Sequence, residues 1–108
     1  MLLLEVIRWG NDAAHPLTGG PDGPDTCFLV QAHSVESAAA LVDRQLSLVP
    51  HTRVAPHAAA VYLLGNAAAS ETKEQIVRGP YLQPAYRYGW RHWYRLAPEE
   101  PWRERVDD

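Results

Sequence analysis

Hydrophobic and polar positions divide the chain into apolar runs, one helical period and one alternating stretch. Leu2-Leu3-Leu4-Glu5-Val6-Ile7-Arg8-Trp9 is rich in β-formers and ends at Gly10-Asn11. The spacing predicts a strand over 2–9 that is apolar on both faces, with Leu2, Leu4 and Val6 on one and Leu3, Ile7 and Trp9 on the other. Glu5 interrupts the second face, which places it near a sheet edge or against a cation such as Arg8 or an arginine of the C-terminal segment. Thr26–Ala32 predicts a second strand. His33 and Ser34 then punctuate, with Ser34 as a helix cap and Glu36 near the positive end of the helix dipole. Apolar residues at 35, 38, 39, 42, 46 and 49 follow the helical period, and Pro50 stops it. The predicted helix has about 15 residues and is roughly 22 Å long. Within 54–65, Ala58–Leu64 predicts a third strand, because Pro56 and Gly65-Asn66 leave too little length for a helix. Strand, helix and strand here make a βαβ or split-βαβ unit.

Tyr81 to Leu96 alternates. Tyr86, Tyr88, Trp90, His92 and Tyr94 share one face, and Arg87, Arg91, Trp93 and Arg95 share the other, with Gly89 between them. This predicts a strand, at a sheet edge because Pro84 stands just before it. Between Ala67 and Gln75 the pattern is ambiguous. Ser70 followed by Glu71-Thr72-Lys73-Glu74 fits the start of a short helix and Gln75–Arg78 a brief strand, and Gly79-Pro80 ends whichever forms. Pro98-Glu99-Glu100-Pro101 opens a charged tail in which Trp102 and Val106 anchor one last helical turn.

Residues 10–25 show no period and hold four of the seven glycines and three of the nine prolines. Such a stretch is long for a connection and reads as a flexible hairpin link. Its aspartates lack the spacing of a calcium loop. Together the elements predict an α+β two-layer sandwich, a mainly antiparallel sheet of about four strands with one long helix, ferredoxin-like or split βαβ. Residues 1–97 form the single domain and 98–108 the tail.

At 108 residues the chain has room for one domain with a core of its own. Ten basic residues against thirteen acidic ones give a net charge of −3. That balance disfavours a general nucleic-acid binder. Nine of the ten bases are arginine, and no glycine lies near Lys73, which excludes a phosphate loop of the G-x-x-x-x-G-K type. Cys27, the single cysteine, has neither a disulfide nor a zinc partner and reads as a small buried hydrophobe. His15, His33, His51, His57 and His92 contain no pair at the helical metal-ligand spacing, so no metal and no cofactor is expected. Met1-Leu2-Leu3-Leu4 lacks the flanks of a signal peptide, and no run reaches the roughly 18 apolar residues of a membrane span. A cytoplasmic setting is expected.

Seven of the nine Tyr and Trp residues lie within 81–102. Tyr, Trp and Arg are enriched at binding hot spots, and arginines at alternate positions offer guanidinium groups to carboxylates or phosphates. The candidate binding residues are therefore Tyr86, Arg87, Tyr88, Trp90, Arg91, His92, Trp93 and Arg95, directed at a protein partner or a small acidic ligand. The same alternation also fits a core-facing aromatic row with a solvated arginine face. Base stacking is a third reading, without the glycine-aromatic motifs of RNA-recognition domains. An enzyme is the alternative class: His33, His92 and Tyr62 would line a sheet–helix cleft for acid–base chemistry, with 10–25 as its lid. No nucleophile elbow is present, and no catalytic residue is assigned.

A single helix covers one sheet face, whereas the first three strands are apolar on both. Exposed apolar patches of that extent are rare on monomers. A second chain is expected over the other face, as a homodimer or a cognate protein.

Overall fold

The computed structural model describes residues 1–8, 26–48, 57–68, 72–82 and 90–105. Along them run β1 (Leu2–Arg8), β2 (Thr26–Ala32), α1 (Val35–Leu46), β3 (Ala60–Asn66), β4 (Gln75–Leu82), β5 (His92–Tyr94) and β6 (Arg103–Arg105). The strands form one sheet in the order β4-β2-β1-β3-β5-β6, and every neighbouring pair is antiparallel. Because β2 and β3 both oppose β1, they run parallel to each other with β1 between them, and α1 is the crossover that joins them. A ferredoxin-like arrangement repeats that unit with a second helix, whereas α1 is the only helix among the described residues. The sheet has six strands where the alternation predicted about four.

The two strands that exceed expectation lie at the margins. β4 runs through Gly79-Pro80, which were expected to stop it. Among the described residues it is the outermost strand on its side, where proline is tolerated, and its register with β2 shifts at Gly79-Pro80, between the pairs Cys27–Tyr81 and Leu29–Arg78. Gly79 has φ of 136°, and a Cβ there would come within 3.0 Å of the Cys27 carbonyl oxygen and the Phe28 Cα. Only glycine lets β4 approach β2 so closely. β6 was expected as part of a helical turn. Instead it pairs with β5, so β5 is not the edge.

α1 begins where expected. Ser34 Oγ accepts the Ser37 N–H at 3.1 Å, and Ser37 Oγ accepts the Ser34 N–H at 3.2 Å, which closes a reciprocal cap. The helix ends at Leu46, where the Ser47 N–H still reaches the Asp43 carbonyl at 2.9 Å. It is shorter than the apolar period implied. Val35, Ala38, Ala39, Val42 and Leu46 face the sheet and meet Leu4, Val6, Phe28, Val30 and Val61. Alternate residues of the same strands build a second cluster on the opposite face, from Ile7, Cys27, Ala60 and Tyr62.

Within one chain Ile7 and Cys27 are 0% exposed and Tyr62 is 2% exposed. The centre of the second face is thus covered within one chain, while Leu3 is half-buried and Trp9 lies outside the described residues. No helix among the described residues is long and apolar enough to cross a membrane.

Candidate functional site

Residues paired directly across antiparallel strands share a face. One such row crosses the sheet opposite α1: Leu29 on β2, Glu5 on β1, Tyr62 on β3, His92 on β5 and Arg105 on β6. Glu5 stands on a central strand, not an edge, and is 1% exposed. A buried carboxylate needs hydrogen-bond donors, and the Tyr81 hydroxyl supplies one at 2.7 Å. Burial, and then the bond to the Glu5 carboxylate, push the Tyr81 phenol above the ordinary tyrosine range. The Arg78 guanidinium covers the outer side of that ring, 4.8 Å from its centroid. Tyr62 and His92 stack with centroids 4.7 Å apart and planes 16° apart. His92 Nδ1 lies 3.1 Å from the Trp90 carbonyl oxygen. A carbonyl only accepts, so Nδ1 carries the proton of this bond.

On the helix side, Arg95 holds three parts of the chain together. Its Nε donates to the Ala58 carbonyl at 2.9 Å, its Nη1 to the Pro98 carbonyl at 2.8 Å and its Nη2 to the Asp43 carboxylate. The other Asp43 oxygen accepts the Ala58 N–H at 2.7 Å. The guanidinium also covers the Trp102 ring at 4.6 Å. α1, the approach to β3 and the approach to β6 are thereby fixed to one another. Beside this knot a groove of about 330 Å³ is lined by Glu36, Ala39, Ala40, Asp43, Arg95 and Trp102, among others.

The outward-facing chemistry sits at the β5–β6 margin. Trp90 is 41% exposed. Arg91 grips Glu104 with Nε to Oε2 at 2.8 Å and Nη2 to Oε1 at 3.0 Å, and lies 5.0 Å from the Trp93 ring centroid. The two-pronged bond lowers the Glu104 carboxyl from its ordinary range and raises Arg91. Arg103 pairs with Tyr94 and Arg105 with His92, so both arginines stand on the face opposite α1, and all of β6 is exposed.

The expected binding residues therefore divide. Trp90 and Arg91 are at the surface; His92, Trp93 and Arg95 point inward, to Tyr62, to the helix-side core and to Asp43 respectively. Tyr86, Arg87 and Tyr88 lie outside the described residues, as does the loop at 10–25. Tyr62 and His92 do meet, but on the face away from the helix. His33 stands apart from them at the start of α1, where its N–H donates to Glu74 Oε2 at 2.7 Å. Arg103 and Arg105 were missed, because an Arg-Glu-Arg tripeptide carries no apolar signal; Tyr81 and Glu5 were seen separately but not as partners. Among the described residues no group of three or more His, Cys, Asp or Glu side chains converges as a metal site would require. Comparison with known protein families, curated proteins and solved structures finds no match.

Proposed function

We propose that this chain is a small interaction domain that recognises an acidic partner protein through the β5–β6 margin. The observation that supports this most is the grouping of exposed Trp90 with Arg91, Arg103 and Arg105 around one end of the sheet, in a chain whose net charge is −3. Cationic side chains concentrated on an otherwise acidic molecule select partners by sign, and an exposed indole supplies desolvated contact area beside them. Arg103 and Arg105 on the exposed β6 stand with Arg91 and the indole as the residues of this surface. His92, Trp93 and Arg95 serve this reading from beneath, by fixing the strands that carry the surface residues.

The test is fluorescence anisotropy with a dye-labelled, glutamate-rich peptide. The W90A and R103A/R105A variants should keep their melting curves and lose affinity by about tenfold or more, roughly 1.4 kcal/mol. Unchanged affinity in both variants overturns the reading.

The stacked Tyr62–His92 pair beside buried Glu5 favours a second reading, an enzyme using acid–base chemistry on the face opposite α1. It is supported instead if the protein shows a turnover that H92Q abolishes while peptide binding survives.

A further inference from the structure

We infer that the groove between α1 and the approach to β6 is a second recognition site, which takes a basic side chain, lysine or arginine, from a segment of a partner protein. This goes beyond the acidic-partner reading and does not depend on it.

One wall of the groove is a single stripe of the helix. Glu36, Ala39, Ala40 and Asp43 stand at i, i+3, i+4 and i+7, so they share one face of α1. The facing wall is Arg95 with Glu100, Pro101 and Trp102. Contacts fix the two walls to each other. Arg95 Nη2 bonds Asp43, the same guanidinium covers the Trp102 ring at 4.6 Å, and the indole packs against the helix-side core. A groove held in this way needs little reordering to receive a ligand.

Charge decides the occupant. Glu36, Asp43 and Glu100 line the groove with one cation, Arg95. Asp43 and Arg95 are already engaged. Asp43 Oδ1 accepts the Ala58 N–H and Oδ2 accepts Arg95, whose other donors go to the Ala58 and Pro98 carbonyls. Glu36 is exposed and Glu100 is half-buried, and among the described residues neither carboxylate has a hydrogen bond or an ion pair. Two acceptors thus stand beside apolar groups of Ala39, Ala40, Pro101 and Trp102. Lysine and arginine match that pattern, because an aliphatic stem covers apolar surface while the charged tip reaches polar groups.

Shape decides the source. The groove holds about 330 Å³, near the lower end for ligand sites, and it is open to solvent. A free small molecule would stay largely wet there. A side chain carried by a passing segment needs no enclosure, since the remainder of the interface holds the segment in place.

The experiment titrates the full chain with a capped peptide of two lysines spaced by glycine and serine, followed by amide-correlation NMR. The expected result is saturable shifts on the Trp102 indole N–H and on the Ala39 and Ala40 amides. Replacing both lysines by norleucine keeps the stems, removes the charge and should weaken binding about tenfold or more. The E36Q/E100Q variant should lose as much with its melting curve kept. E99Q removes an exposed charge of the same sign outside the groove and should bind like the parent. An equal loss in E99Q overturns the site, because general acidity would then attract the peptide. No binding, shifts centred elsewhere, or equal affinity for the norleucine peptide also overturn it. Butylamine binding as tightly as the peptide contradicts the protein partner and reassigns the groove to a free amine. Concentration-dependent dimerisation abolished by E36Q/E100Q contradicts it too and reassigns the groove to a second copy. The acidic-partner reading is tested with a glutamate-rich peptide, so the two fail separately.

Discussion

The Arg95 guanidinium lies over the Trp102 indole at 4.6 Å while its Nη2 bonds the Asp43 carboxylate on α1. Two residues only seven positions apart thus tie the end of β5 to the start of β6 through the helix. Arg95 is 8% exposed, so truncating it removes the donor to Asp43 Oδ2 and to the Ala58 and Pro98 carbonyls. Arg95 is buried while the Asp43 side chain is 32% exposed, so losing these bonds costs about 1–3 kcal/mol. R95A should show that loss in urea unfolding, together with faster amide exchange at Arg103–Arg105. A destabilised protein whose β6 exchange is unchanged would separate the knot from the strand.

Tyr81 and Glu5 form a second dependence. Removing the phenol hydroxyl in Y81F leaves the buried carboxylate short of a donor and should cost about 1–3 kcal/mol. The raised Tyr81 phenol has a folded value above its unfolded one, so its contribution is complete below about pH 10 and declines as pH rises toward the folded value. Alkaline unfolding monitored by tyrosinate absorbance should therefore lose its steepest component in Y81F.

Glu74 has the opposite sign. The His33 N–H and the Ser37 hydroxyl both bond its Oε2 at 2.7 Å and hold its carboxyl below the usual range. Its contribution is present above the unfolded carboxylate value and is lost as pH falls through the lowered one. E74Q should flatten the acid limb of the stability–pH curve and match the parent at low pH. An unchanged acid limb would show that the bonded oxygen does not couple to folding.

Gly79 tests the β4 margin. A methyl group there meets the β2 backbone at 3.0 Å, on a residue with φ of 136°. G79A should cost about 1–3 kcal/mol, visible in thermal unfolding. A substitution within about 0.5 kcal/mol of the parent would mean that β4 can step away from β2 freely.

What was legible in the chain followed from burial. The faces of β1, the start of α1 at Ser34 and the span of β2 all show in apolar period or cap chemistry, since each is fixed by a neighbour of predictable kind. The margins were not legible, because backbone pairing forms them and their side chains need no pattern. Gly79-Pro80 reads as a stop, yet β4 continues past it, with a shift of register between the pairs Cys27–Tyr81 and Leu29–Arg78. Arg103-Glu104-Arg105 looked like a tail, since all three side chains face water. For Glu5 the central place of β1 excludes the edge and leaves the cation open. An acid in an apolar run suggests an edge or a cation, and only the register that brings Tyr81 across two strands reveals a phenol as its donor. The aromatic-arginine alternation fits both a recognition surface and a core-facing row, and the sheet turns His92, Trp93 and Arg95 inward and leaves Trp90 and Arg91 outside.

The most direct measurement is an amide-correlation NMR titration of the isotope-labelled protein with the glutamate-rich peptide. Recognition at the sheet margin predicts saturable shifts concentrated on the Trp90 indole N–H and on the amides of Arg91–Tyr94 and Arg103–Arg105. Shifts centred instead on Glu36, Asp43 and Trp102 in the helix-side groove, or none anywhere, would contradict it.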